Sequence, residues 1–159
     1  MPVRRVSMEP TLRPATLEDV RGLLKLQRAY YAEDGYPFVE EVASACWRAF
    51  LGEPALGRAW VVEADLGLVG YAVLTLGYSL EYRGRDAFVD ELYVAPPFRG
   101  REIAGRALAL LEAECAERGV MALHLEVERG NEAAHRLYRR WGFADKERVL
   151  MTKRLRGEG

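Results

Sequence analysis

The sequence predicts an α/β (α+β) fold in which a single mixed, mostly antiparallel, twisted sheet carries helices on both faces. Three observations predict it. Segments rich in β-branched and aromatic residues follow one another closely in the middle of the chain, segments with helical periodicity flank them, and one strand, loop and helix adjoin almost without spare residues. The predicted order is β-α-α-β-β-β-α-β-α-β, within a single domain that spans residues 1–159.

Length and composition fit one globular domain. The chain has 159 residues, of which 50% are hydrophobic and 30% charged, enough for one core and too few for two. Lys and Arg number 23 against 24 Asp and Glu, so no overall positive charge draws the protein toward nucleic acid or anionic lipid. Without an apolar run of membrane-spanning length or a secretory signal, we expect a cytoplasmic protein, with residues 1–7 mobile and with Cys46 and Cys115 as reduced, buried thiols.

The first half of the chain predicts a strand, two helices and the two arms of a hairpin. In chain order these elements cover residues 11–13, 16–31, 39–51, 59–64 and 68–78. Thr16 and Asp19 have the spacing of a capping box, which marks a helix start. Gly67 supplies the glycine that a tight hairpin turn needs.

The second half alternates strands and helices. It predicts a strand from residue 87 to 94, a helix that begins within 99–105 and stops at Gly119, a strand over 122–127, a helix from Asn131 to Gly142, and a last alternating strand over 149–155. One twisted mixed sheet with helices on both faces accommodates this order of elements.

The loop before the long helix has the features of a phosphate-binding site. Its residues are Arg99, Gly100, Arg101, Glu102, Ile103, Ala104, Gly105 and Arg106. A helix start has backbone N–H groups without partners and about half a positive charge, and small residues let an anion come close. The spacing fits neither a Walker loop nor a Rossmann fingerprint. Taken alone, the loop is also typical of a solvated, arginine-rich helix start.

Two motifs, one after the other along the chain, resemble those of the GNAT superfamily of N-acetyltransferases. The first, Arg-x-x-Gly-x-Gly/Ala, is present at residues 99–104 with Glu102 in place of the usual glycine. The second, N-x-x-A-x-x-L-Y-x-x-x-G-F, is present at residues 131–143. The resemblance covers nearly the whole predicted order of elements. It implies that the strands at Ala87 and Ala122 splay apart to admit the pantetheine arm of acetyl-CoA.

The resemblance also implies which residues bind this cosubstrate. The backbones of Leu92, Tyr93 and Val94 would pair with pantetheine as an added strand, and an N–H group there would hold the developing oxyanion. The loop from Arg99 to Arg106 would bind the pyrophosphate, with Asn131 and Tyr138 beside the cofactor. An inward-pointing Glu102 would repel that pyrophosphate.

Acetyl transfer requires a base for the amine, because an alkylamine with a pKa of about 10.4 is protonated at pH 7. Alternation along residues 122–127 directs Glu126 away from the apolar side chains of Leu125 and Val127. The run Leu125-Glu126-Val127 also resembles the segment that carries the base in acetyltransferases of protein N-termini. Asp90 is the second candidate, followed by Glu91.

The leaving thiolate requires a proton, and Tyr138 is the candidate donor. Helical spacing places it on the inward stripe of its helix. Transfer from a phenol to a thiolate is uphill by roughly 2 kcal/mol at ordinary pKa values. The structural alternative is a core aromatic residue with a satisfied hydroxyl group.

The sequence leaves the acceptor open between a small molecule and a protein amine. The resemblance implies that the first two helices form one wall of its site, with Tyr31, Asp34, Tyr36 and Glu91 as candidate contacts. A homodimer is the expectation at family level, and no nucleic acid, membrane or metal partner is expected. His124 and its neighbouring glutamates lie too far apart on one strand to converge on a metal ion.

Two other functions stay open. One is a non-catalytic acyl-CoA-binding module or sensor of the same fold. The other is a nucleic-acid binder that uses Arg136, Arg139 and Arg140, which the balanced net charge disfavours.

Overall fold

The computed structural model of the protein describes residues 9–157, so the predicted mobile segment 1–7 lies outside the described residues. Its elements in chain order are β1 (Thr11–Pro14), a 3-10 turn (Leu17–Asp19), α1 (Val20–Asp34), α2 (Glu40–Leu51), β2 (Gly57–Ala64), β3 (Gly67–Ser79), β4 (Gly84–Val94), a 3-10 turn (Pro96–Phe98), α3 (Ile103–Glu117), β5 (Ala122–His124) and α4 (Glu132–Arg140). Among these residues, no helix is long and apolar enough to cross a membrane.

The five strands form one sheet in the order β1-β2-β3-β4-β5. The pairs from β1 to β4 are antiparallel, whereas β4 and β5 are parallel and are joined through α3. Asp65 and Leu66 connect β2 to β3, with Ala64 paired to Gly67, which is the tight hairpin that the sequence predicts. The mixed, mostly antiparallel sheet is therefore confirmed.

Helices cover both faces of the sheet, as predicted. On one face, Leu23 of α1 and Trp47 of α2 pack with Tyr71 of β3 in a buried cluster. Ile103 of α3 belongs to a separate cluster with Val62. Since consecutive strand residues point to opposite faces, Val61 in the first cluster and Val62 in the second lie on opposite sides of β2.

The predicted capping box is present at the start of the first helical segment. The Asp19 carboxylate accepts a hydrogen bond from the Thr16 N–H at 2.8 Å and pairs with the Arg13 guanidinium at 2.8 Å. The bond from Arg13 holds the pKa of Asp19 below its ordinary value, against the opposing effect of burial. α1 ends at Asp34, three residues later than the predicted end at residue 31.

One predicted strand is shorter than expected, and another is absent from the described residues. β5 ends at His124, although the sequence predicts a strand to residue 127. Residues 149–155 form no strand, and Val149 and Met151 are exposed. Alternation predicts a strand only where a neighbouring strand completes its hydrogen bonds, and in the described sheet no strand pairs with this segment.

The chain divides into two compact units, Met1–Leu125 and Glu126–Gly159. The first contains the sheet with α1, α2 and α3, and the second contains α4. The single domain inferred from length stays a prediction.

Candidate active site

One residue of β4 departs from regular pairing with β3. Val73 pairs with Glu91 and Leu74 pairs with Val89, so Asp90 has no partner residue on β3 and forms a β-bulge. In a regular strand, neighbouring side chains point to opposite faces. At the bulge, Asp90 and Glu91 instead line the same cavity.

The cavity has a volume of about 340 Å³, within the range of small-molecule sites. Its lining residues come from α1, α2, β3 and β4 of the first unit: Gln27, Tyr31, Cys46, Trp47, Phe50, Val73, Thr75, Asp90 and Glu91. The prediction of two buried thiols is wrong for Cys46, which is exposed at this cavity, while Cys115 is buried. The apolar periodicity of α2 did not show that this side of the helix borders a cavity.

The Glu91 carboxylate is held by three hydrogen-bond donors. The Tyr31 hydroxyl donates at 2.5 Å, the Tyr71 hydroxyl at 2.6 Å and the Gln27 side-chain amide at 3.1 Å. The Gln27 carbonyl oxygen in turn accepts a bond from the indole N–H of Trp47 at 2.9 Å. The network therefore fixes Glu91 through residues of α1, α2 and β3.

Burial dominates the electrostatics of the two carboxyl groups. It raises the pKa of Glu91, and the three donors offset this only in part. Burial likewise raises the pKa of Asp90, which has no hydrogen-bond or ion-pair partner among the described residues. Burial and the Glu91 charge raise the pKa of both Tyr31 and Tyr71, so these phenols stay protonated and act as donors.

The start of α3 lies in the loop where the sequence predicts it. The first helical hydrogen bond runs from the Arg106 N–H to the Glu102 carbonyl oxygen at 3.0 Å. The N–H groups of Ile103, Ala104 and Gly105 precede it and have no acceptor within the helix. Glu102 occupies the left-handed backbone region with φ of 59°, a conformation that glycine adopts at lower cost.

The three arginines of this loop have different partners. Arg99 donates to the Glu33 carboxylate at 2.8 Å and to the Val94 carbonyl oxygen at 2.8 Å. Arg106 donates to the carbonyl oxygen of Pro10 at 3.1 Å. Arg101 stacks over the Phe98 ring at 5.4 Å. In the described part of the chain, Arg101 has no ion-pair partner.

In the second unit, the predicted cap of the last helix is present. The Asn131 side-chain oxygen accepts a hydrogen bond from the Ala134 N–H at 3.1 Å. The Tyr138 ring packs edge-on against Phe143 with centroids 5.9 Å apart, and burial raises the pKa of its hydroxyl. Glu126 lies beyond β5 and is exposed.

A family model described as "Acetyltransferase (GNAT) family" matches residues 21–143, most of the chain. The chain belongs to the GNAT acetyltransferase family. That assignment confirms the resemblance carried by the two sequence motifs.

Relatives over nearly the whole chain agree with this family. The chain is 33% identical to an uncharacterized N-acetyltransferase, YycN, of Bacillus subtilis, with 91% of this chain and 97% of that protein covered. An integron cassette protein from the mobile metagenome of Cole Harbour Salt Marsh has a similar crystal structure, with a TM-score of 0.83, 35% identity, and 92% and 91% of the two chains covered. The fold also matches the aminoglycoside N-acetyltransferase AAC(6')-Iy in complex with CoA, with a TM-score of 0.79, 18% identity, and 96% and 98% coverage.

In this GNAT protein, the candidate acceptor residues divide into two groups. Tyr31 and Glu91 line the cavity together with Asp90. Asp34 and Tyr36 are exposed and do not line it, although the Tyr36 ring lies 6.0 Å from that of Tyr31.

The sequence reasoning missed Gln27 and Trp47, which line the cavity, and Tyr71, which donates a hydrogen bond to Glu91. The spacing of Gln27 and Tyr31, four residues apart on α1, was a usable signal, because such pairs meet on a helix surface. Their bonds to Glu91 depend on packing between elements, which no local pattern reveals. Among residues 9–157, no group of three or more His, Cys, Asp and Glu side chains is placed to bind a metal ion.

Proposed function

We propose that the protein is an acetyl-CoA-dependent N-acetyltransferase that transfers the acetyl group to a primary amine by direct attack within a ternary complex. The observation that carries the proposal is the free N–H row at the start of α3, flanked by Arg99 and Arg101, in a chain of the acetyltransferase family. Coenzyme A in the complex of the structural relative supports a cosubstrate of this type. We further propose that the reaction takes place in the cytoplasm.

The cosubstrate would bind along β4 and the start of α3. The N–H groups of Ile103, Ala104 and Gly105 would hold the pyrophosphate, with charge from Arg99 and Arg101. β5 pairs with β4 only as far as Phe88, although β4 continues to Val94. The backbone of residues 92–94 is therefore suited to pair with the pantetheine amides.

The reaction would form a nitrogen–carbon bond and break the carbon–sulfur bond of the thioester. In our assignment, Asp90 removes the proton from the ammonium group of the acceptor, and the neutral nitrogen attacks the carbonyl carbon. A backbone N–H group near Leu92 holds the oxyanion, and the motif at residues 131–143 assigns protonation of the departing thiolate to the Tyr138 hydroxyl. The nitrogen loses its second proton to solvent as the intermediate collapses, and a proton from solvent restores the Tyr138 phenol. We prefer Asp90 to Glu126 because Asp90 borders a cavity whereas Glu126 is exposed.

The test combines calorimetry with a turnover assay. Purified protein is titrated with coenzyme A and is then incubated with acetyl-CoA and a panel of primary amines, and released CoA is separated by chromatography. We expect heat on titration and CoA release with at least one aliphatic amine. No heat contradicts the phosphate-binding assignment, and heat without turnover for any amine favours the non-catalytic acyl-CoA module.

Replacing Glu102 with glycine is expected to stabilise the protein. The variant Glu102→Gly removes a left-handed non-glycine residue, with φ of 59°, and we expect a gain of about 1 kcal/mol or less after the added freedom of the unfolded chain. It also removes a carboxylate from the proposed pyrophosphate site, so the Kd for coenzyme A should be unchanged or lower. Urea unfolding and calorimetry measure the two effects.

The matched control is Arg83→Gly, at the other described non-glycine residue with positive φ, 65°. Arg83 lies in the turn before β4, so this variant should gain stability without any change in coenzyme A affinity. A large loss of coenzyme A affinity in Glu102→Gly alone means that the loop geometry assigned here is wrong.

Removing the Glu33 charge is expected to tighten coenzyme A binding. Glu33 pairs with Arg99 at 2.8 Å, so a pyrophosphate must compete with this carboxylate for the guanidinium group. Because both side chains of the pair are partly exposed to solvent, the expected change in Glu33→Gln is small, about two- to fivefold in Kd by calorimetry.

The control for this prediction is Glu40→Gln, which removes an exposed carboxylate paired with Arg28 at 3.5 Å. It should leave the Kd unchanged. Weaker binding in Glu33→Gln means instead that Glu33 holds Arg99 in position for the cosubstrate.

A further inference from the structure

We propose that the cavity between α1, α2 and the sheet selects, as acetyl acceptor, a primary alkylamine with an apolar stem and no carboxylate group. The inference rests on the proposed function, because it names the acceptor class of that reaction. Three features of the cavity support it: its charged groups, its apolar lining residues and its hydrogen bonds. All of these residues belong to the first unit.

The cavity contains negative charge without a compensating cation. Asp90 and Glu91 both line it, and its described lining residues include no Lys, Arg or His. Two neighbouring carboxylates in a partly desolvated site disfavour each other's ionisation. An ammonium group between them relieves this repulsion, whereas a ligand carboxylate adds a third like charge.

The apolar lining residues suit an apolar stem. Trp47, Phe50 and Val73 line the cavity, and Trp47 is held edge-on against Tyr71 with ring centroids 5.5 Å apart. Aromatic faces also attract an alkylammonium group. A volume of about 340 Å³ corresponds to about ten water-sized groups, so the site suits a short amine.

The two carboxylates have separate tasks. Glu91 accepts bonds from Tyr31, Tyr71 and Gln27, which fix it as the charge that attracts the ammonium group. Asp90 accepts none of these bonds and is therefore free to receive a hydrogen bond from the amine and then its proton. Recognition and proton removal are thus assigned to adjacent residues that the bulge brings to one side of β4.

Cys46 allows amine binding to be measured without acetyl-CoA. It is exposed and lines the cavity, while Cys115 is buried and burial raises the pKa of its thiol. The rate at which iodoacetamide modifies Cys46 is followed by mass spectrometry at increasing concentrations of butylamine or of 4-aminobutyrate. The probes share the four-carbon chain and the primary amine, and they differ in the carboxylate. Cys46→Ser serves as the control for labelling elsewhere.

We expect butylamine to slow the modification of Cys46 in a saturable manner and 4-aminobutyrate to require at least about a tenfold higher concentration for the same effect. Glu91→Gln should raise the half-protecting concentration of butylamine about tenfold, and Glu40→Gln should not change it. The comparison of the two probes uses the wild-type protein, so it holds even if Glu91→Gln does not fold.

Equal protection by the two probes overturns the proposal, and so does unprotected Cys46 at amine concentrations that saturate turnover. The second result is compatible with the proposed acetyltransferase activity and contradicts only this acceptor site. Protection by butylamine without CoA release for any amine supports the amine site and contradicts the proposed acetyltransferase activity. The two proposals can therefore fail independently.

Discussion

Asp90→Asn is expected to lower kcat/KM for an alkylamine by about 100- to 10,000-fold, the usual contribution of a general base. The amide has nearly the same shape as the carboxyl group but cannot take the ammonium proton. The Kd for coenzyme A should be unchanged, because the proposed pyrophosphate site lies at the start of α3. Steady-state kinetics with acetyl-CoA and butylamine measure the loss, and calorimetry measures coenzyme A binding.

The pH profile separates a base from a residue that only shapes the cavity. Burial raises the pKa of Asp90, so the wild-type rate should fall on acidification at a pH above the ordinary aspartate range of about 3.9. Asp90→Asn should lack this dependence. Glu91 also titrates in the cavity, and it faces the Tyr31, Tyr71 and Gln27 donors, so the profile of Glu91→Gln is the necessary comparison. Full activity in Asp90→Asn would mean that another group is the general base, and Glu126→Gln would then be the first variant to test.

The raised pKa of Asp90 also predicts that the variant Asp90→Asn is more stable than the wild type at neutral pH. A carboxyl group whose pKa is higher in the folded protein than in the unfolded chain favours folding while it is protonated, and this contribution is lost as the pH rises through the folded pKa. Above that pH, Asp90→Asn should therefore be more stable than the wild type, and below the unfolded pKa the two should be alike. Urea unfolding at pH 3 and pH 8 tests the sign. Such a gain with loss of activity is common where function requires a desolvated charge.

The sequence predicts the start of α3 well because local chemistry decides it. Two prolines end the preceding strand, Gly100 permits a positive φ, and the apolar periodicity of the next helix begins almost at once. The cap at Asn131 and the hairpin at Gly67 are predictable for the same reason. Each depends on residues a few positions apart.

The cavity is not predictable in this way. Alternation along β4 places Asp90 and Glu91 on opposite faces, and only the bulge brings them together. A bulge of this kind has no glycine or proline to mark it. The partners of Glu91 also lie 20 to 64 residues away in the chain. The predicted strand at residues 149–155 fails for a related reason, because its alternation says nothing about which strand would pair with it.

Tyr138→Phe is expected to lower kcat by about 100-fold or more while leaving the Kd for coenzyme A unchanged. The variant removes one oxygen and keeps the ring that packs against Phe143, so the free energy of unfolding should change little. Burial raises the pKa of this phenol, so it remains protonated over the neutral range. The raised pKa also makes proton transfer to the thiolate more uphill than at ordinary pKa values. Steady-state kinetics give kcat, and calorimetry gives the Kd.

The control for a lost tyrosine hydroxyl is Tyr78→Phe. Tyr78 lies on β3, is 71% exposed and does not line the cavity. This variant should keep full activity. If Tyr138→Phe instead keeps its kcat but loses coenzyme A affinity, the hydroxyl group binds the cosubstrate and the thiolate leaves without it. Equal loss in both Phe variants points to a general effect on stability, which thermal unfolding of the two proteins would reveal. A loss of kcat confined to Tyr138→Phe is the result that a proton donor to sulfur requires.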